Sequence, residues 1–195
     1  MRTAIAAALL VLGATQAPAA EAWRFRPTSG EYSIDMREPD NEGFHPGKEV
    51  RTGDILLVDF WFEAGQIHGG IKQRTVEWLK AAVPPEQSDR IVSTIVSSYL
   101  DGRFGAGKFT IADRRKSRDG EGRLNYLFAA KGVAGDIPAG WQGSVYVFDG
   151  AVALVSEVLS LNMDGHTNAF DERDAVFDRA LIRWAETIRP EPPPG

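Results

Sequence analysis

Asp149-Gly150 stands between two runs of strong strand formers, Ser144-Val145-Tyr146-Val147-Phe148 and Ala151-Val152-Ala153-Leu154-Val155-Ser156. An Asp-Gly pair in a two-residue connection supplies the positive φ that a type I′ turn requires, and the twist of that turn matches the strands it joins. This part of the chain is thereby committed to an antiparallel hairpin. Asp119-Gly120 repeats the device between residues 109–118 and 123–128. Parallel neighbours would each need a long crossover, so four strands linked as two hairpins predict an antiparallel sheet in an α+β domain.

The remaining elements are read around that core. Tyr32, Ile34 and Met36 alternate with Ser33, Asp35 and Arg37, which predicts a half-buried strand with the second set wet. Residues 38–53 hold two prolines and three glycines and read as a long loop. The nearly unbroken apolar run 54–62 reads as a central strand covered on both faces. Val76, Leu79 and Val83, with Trp78 and Ala82 beside them, recur at helical spacing and predict a helix over 71–83, stopped by Pro84-Pro85. A second helix over 88–100 places Ile91, Ile95, Val96 and Tyr99 near one side. A closing helix over 169–188 is capped by Asn168, carries the stripe Phe170, Phe177, Leu181, Trp184 and Ile188, and leads into a proline-rich tail over 190–195. The expected architecture is an antiparallel sheet of about six strands flanked by helices.

The first residues predict an address. Met1-Arg2-Thr3 precedes an apolar run of about ten residues, and Ala17-Pro18-Ala19 offers small side chains at a cleavage site, the pattern of a secretory signal over 1–19. That run is too short to span a bilayer, and no later segment reaches 18 consecutive apolar residues. The expectation is one mature domain over 20–189, periplasmic or secreted. A chain of 195 residues fits a single core. With no cysteine it can form no disulfide and no thiolate metal site. A formal charge of −5 supplies no electrostatic footprint for nucleic acid.

With the opening segment Ser29-Gly30-Glu31-Tyr32-Ser33-Ile34-Asp35 and the final helix from Phe170 to Ile188, the pattern resembles the Mog1/PsbP-like fold, including the DcrB-type exported bacterial proteins. The resemblance runs from Trp23 to Arg189 and implies an α/β/α sandwich. It also implies an accessory or binding role, with no shared catalytic residues to carry over.

The search for chemistry agrees with a binding role. His45, His68 and His166 have no chelating spacing, so neither a metal nor another cofactor is expected. Asp164, His166, Asp171 and Glu172 form the densest group of possible ligands and read as a loop and first helical turn. Asp59 lies inside an apolar strand, where an ionised carboxylate is costly unless paired, and an arginine at a sheet edge is the expected partner. Glu63 shares its strand face about 13 Å away, too far for a ready carboxylate pair. Asp59, Glu63 and a histidine nevertheless define the alternative, a small periplasmic hydrolase or metal-assisted enzyme. The candidate recognition residues are Arg114, Arg115 and Arg118 on a basic hairpin tip completed by Arg123, Trp141 among glycines in a loop, His45 in the 38–53 loop, and His68 after the central strand. They point to a non-catalytic protein that recognises a protein partner or a small ligand.

Overall fold

The computed structural model describes residues 24–36, 44–62, 72–160 and 179–191. The predicted signal peptide, Glu63, His68, His166 and the first part of the closing helix lie outside the described residues. Among the described residues, ten strands and two helices follow one another as β1 (Arg24–Phe25), β2 (Tyr32–Asp35), β3 (Phe44–Thr52), β4 (Ile55–Phe62), β5 (Lys72–Lys80), α1 (Ser88–Phe104), β6 (Phe109–Arg118), β7 (Leu124–Ala134), β8 (Ile137–Phe148), β9 (Ala151–Ser160), α2 (Arg179–Ala185) and β10 (Arg189–Pro190). A 3₁₀ turn, Pro85–Gln87, leads into α1.

Seven strands form one antiparallel sheet in the order β3-β4-β5-β9-β8-β7-β6. It consists of two meanders joined at a seam. β3, β4 and β5 run inward from one edge; α1 then carries the chain to the opposite edge, and β6 to β9 run inward until β9 pairs with β5. A small three-stranded sheet, β1-β2-β10, accompanies it. The architecture is α+β with the sheet dominant.

Each face of the large sheet has its own apolar cluster. On one face Val92, Val96, Tyr99 and Leu100 of α1 pack on Tyr126, Phe128, Trp141, Val145, Val152 and Leu154. A four-residue stripe of this kind is what lays a helix on a sheet. On the other face Leu181, Trp184 and Ala185 of α2, Ile188, and Tyr32 and Ile34 of β2 cover Leu56, Val58, Phe60, Val76 and Trp78. This second covering is the small sheet plus seven described residues of helix, so a flanking layer made chiefly of helix is met on the α1 face only. Among the described residues no helix is long and apolar enough to cross a membrane.

Several expectations are corrected. Residues 72–80 are strand β5, not helix: Arg74, Val76 and Trp78 face the α2 side, opposite Glu157, Val155 and Ala153 of β9, and period two prevails because the segment is sandwiched between β4 and β9. Most of the predicted 38–53 loop is β3, an edge strand that tolerates Pro46 and Gly47 because a bulge falls between Pro46 and Glu49. Ser33 is fully buried, since β2 is paired on both sides and pressed onto the core. The 109–128 hairpin turns with its positive φ at Gly122 rather than Gly120: Asp119 accepts from the backbone N–H of Gly122 at 2.9 Å, and its carboxylate accepts from those of Glu121 and Arg123. At Asp149-Gly150 the turn forms as expected, with Gly150 at φ 73°. A third hairpin, turning at Gly135-Asp136, joins β7 to β8.

A buried polar row crosses the seam. Arg74 Nε donates to Glu157 Oε2 at 2.7 Å with the two side chains 0% and 3% exposed, and Gln142 Nε2 donates to Glu157 Oε1 at 3.3 Å. The Arg74 guanidinium also lies 5.1 Å from the centre of the Trp184 ring.

Candidate functional site

The helix α1 spreads over β6 to β9 and stops short of the β3 end of the sheet. On that face a groove of about 390 Å³ opens between the last turns of the helix and β3, β4 and β5. Period two explains its lining: Ile55, Leu57 and Asp59 are the β4 residues opposite the face that carries buried Leu56, Val58 and Phe60. The strand read from the sequence as central and covered on both faces is thus second from the β3 edge, fully covered on one face and only half covered on the other. Val50 of β3 stands opposite Leu57 and is 45% exposed, the one large hydrophobic side chain so exposed among the described residues. Ser98, Tyr99, Gly102 and Arg103 of α1 form the other wall.

Three charged side chains meet this groove. Asp59 is paired, as an acid inside an apolar strand must be, but its partner comes from the helix and not from a sheet edge. Arg103 Nη2 donates to Asp59 Oδ1 at 2.9 Å, and Thr75 Oγ1 donates to the same oxygen at 2.9 Å. Arg103 sits in the last turn of α1, where a cation also complements the helix dipole. Tyr99 is buried, accepts a hydrogen bond from Ser156 Oγ at 3.1 Å, and burial pushes its phenol up.

Glu77 is the third. It lies on β5 between Leu57 of β4 and Leu154 of β9, and its carboxylate has no hydrogen bond or ion pair to any described residue. Burial alone pushes its carboxyl up to about 6 from an ordinary 4.5. A carboxyl that holds its proton more tightly folded than unfolded withdraws stability as the pH rises from about 4.5 to about 6. Glu77→Gln is accordingly expected to stabilise the protein above pH 6, by at most about 2 kcal/mol, and to leave it unchanged at pH values below 4.5. Thermal midpoints of the two proteins on either side of that window check this; an equal difference on both sides would refute it.

The residues singled out from the sequence lie elsewhere. Trp141 is not in a loop and not exposed: it is a β8 residue at 0% exposure, packed beneath α1 at 6.0 Å between its ring centre and that of Tyr99. Arg114 is drawn toward α1, donating to Ser93 Oγ at 3.0 Å and lying 3.4 Å from Asp89, while Lys116 bonds Asp89 at 2.8 Å. Arg115 pairs with Asp113 and Arg118 with the carbonyl of Gly122. Arg123 ties the tip to the chain just beyond α2, donating through Nε to Asp119 Oδ2 at 2.5 Å and through its two Nη atoms to the carbonyls of Ile188 and Glu186 at 2.9 and 2.6 Å. His45 is an exposed β3 residue opposite Trp61 in register, outside the groove. No group of three or more His, Asp or Glu that could hold a metal occurs among the described residues. Sequence reasoning missed Glu77, Tyr99, Arg103 and Val50. The signal for Glu77 was Val76-Glu77-Trp78, an acid between two large apolar residues in a run that also alternates with period two.

No family model matches this chain, and no match is found among curated proteins.

Proposed function

We propose that this chain is an exported, non-catalytic binding protein that holds a small ligand in the groove between α1 and strands β3 to β5. The observation that carries the reading is the groove itself: a concave site with apolar walls and few converging polar groups, within the volume range of small-molecule sites. Its one acid drawn from the earlier hydrolase alternative, Asp59, is engaged by Arg103 and Thr75. The basic hairpin is a weaker candidate surface, because Arg114, Arg115 and Arg118 are turned to partners of their own chain. Export rests on the Met1 to Ala19 pattern, and the Mog1/PsbP-like sandwich on the opening strand and the closing helix; both belong to this proposal.

Gly102 provides the test. It lines the groove from α1, and a Cβ built there meets nothing within 4 Å. A larger side chain there is expected to narrow the groove with no clash at its Cβ, and loss of a helical glycine adds about 0.5–1 kcal/mol of stability. Ligand-induced amide shifts at Val50, Leu57 and Gly102, recorded while small compounds are titrated into the protein, are expected in the wild type and lost in Gly102→Leu. Shifts confined to 113–118, or unchanged in Gly102→Leu, would overturn the reading.

A further inference from the structure

We propose that the ligand is a small organic cation with an apolar body, its nitrogen donating to the Glu77 carboxylate and its body lying against Val50, Ile55 and Leu57. This rests on the groove being the binding site and adds the chemistry of what fills it.

The argument is one of charge complementarity. Three charged groups line the groove, two acids and one base. Asp59 and Arg103 answer each other at 2.9 Å, and Thr75 completes the pair. The charge left over is that of Glu77, which no described side chain meets. The groups facing it from its neighbours are Leu57 and Asp59 of β4, Leu154 of β9, and Tyr99 and Arg103 of α1, none of them a free cation. A half-buried carboxylate between two leucines is poorly solvated, so a donor cation brought to it recovers interaction that water does not supply. An anion would meet the uncompensated charge of Glu77 and would find the charge of Arg103 already answered by Asp59. A neutral amphiphile would gain the apolar walls only. Val50, exposed at the rim, and Ile55 and Leu57 beneath it provide the apolar length that a bare ammonium ion would leave unused. The raised Glu77 pKa is consistent with this: the acid is held in a state that destabilises the free fold and that a bound cation relieves.

Three probes of matched shape and different charge decide the matter: 2-phenylethylammonium, 2-phenylethanol and phenylacetate, titrated at neutral pH into the full chain and into Glu77→Gln and Gly102→Leu, with amide shifts locating each. The ammonium is expected to bind in the groove at least tenfold more tightly than the alcohol, with phenylacetate weakest. In Glu77→Gln its affinity is expected to fall roughly ten- to a hundredfold, while the affinity of the alcohol changes little, which also shows that the groove is intact. If the alcohol or phenylacetate binds the groove as well as the ammonium, or if Glu77→Gln weakens all three alike, the cation inference is overturned and the groove remains a binding site. If none of the three shifts any groove residue, or Gly102→Leu binds them unchanged, both the inference and the reading beneath it fail.

Discussion

Replacing Arg74 by methionine is expected to lower the stability of this protein by about 3–5 kcal/mol, a drop in thermal midpoint of roughly 6–20 °C for a chain of this size. Arg74 and Glu157 are opposite one another in register on β5 and β9, in the middle of the seven-stranded sheet, and both are almost wholly out of water. The pair itself contributes little relative to two apolar side chains, because desolvating both charges offsets most of their attraction. Removing one partner is different, since it takes the guanidinium away from a carboxylate that stays almost wholly buried. The variant also removes the guanidinium from the face of Trp184. Denaturant unfolding of Arg74→Met, Glu157→Leu and the double variant separates these effects. The double variant is expected to be milder than Arg74→Met alone. A double variant that costs the sum of the two singles would show that the side chains do not act as a pair.

The second large effect is expected at Trp141. Trp141→Ala removes a ring that is fully buried beneath α1 and is expected to cost about 3–5 kcal/mol. The space for that ring is made two residues along the same face: a Cβ on Gly143 would fall 2.5 Å from the indole and 3.0 Å from Leu154, closer than side chains pack. Gly143→Ala should therefore destabilise as well, by about 1–3 kcal/mol through overpacking. The indole N–H has no hydrogen-bond partner among the described residues, so Trp141→Phe, which deletes that orphan donor along with some ring area, is expected to cost far less than Trp141→Ala. Thermal midpoints of the three variants check the ordering. A Trp141→Ala protein as stable as wild type would return this residue to the surface role its sequence context suggested.

These residues also show what could be read from the chain alone. The strand segments 109–118, 123–128, 144–148 and 151–156 and α1 were legible because their signals are local, turn residues at fixed offsets between strand formers and a repeating apolar stripe, whereas the rest of β7 and β8 carries no such signal. β5 was not, because Val76, Leu79 and Val83 satisfy helical spacing as well as Arg74, Val76 and Trp78 satisfy a strand, and the deciding contacts with β4 and β9 are remote in sequence. That ambiguity hid the site. On a helix Glu77 reads as one more solvated acid; on β5 it is a carboxylate flanked by leucines under a helix end. Trp141 failed for a related reason. Glycines around an aromatic suggest a loop, whereas here Gly143 clears room for the ring, and Gly132, whose Cβ would meet the Lys108 carbonyl at 2.2 Å, lets β6 and β7 approach. Asp59 was legible as a paired acid because burying an unpaired charge is expensive wherever the partner comes from.

The seam between the two meanders has a further consequence, for the order in which the protein can become itself. The pairing partners of Lys72 to Lys80 are Leu159 to Ala151, about 70 to 90 residues further along. A chain emerging from its N-terminus can close the β3–β4–β5 meander early, yet it must carry the inner edge of β5, with Arg74 beside it, unmatched until almost the whole polypeptide has arrived. Assembly of the sheet then waits on its last strand, β9, which brings Glu157 to Arg74 and Leu154 to Glu77 in one step. Such a topology leaves the chain without a finished sheet for most of its own synthesis and makes the most remote pairing the slow step of its folding.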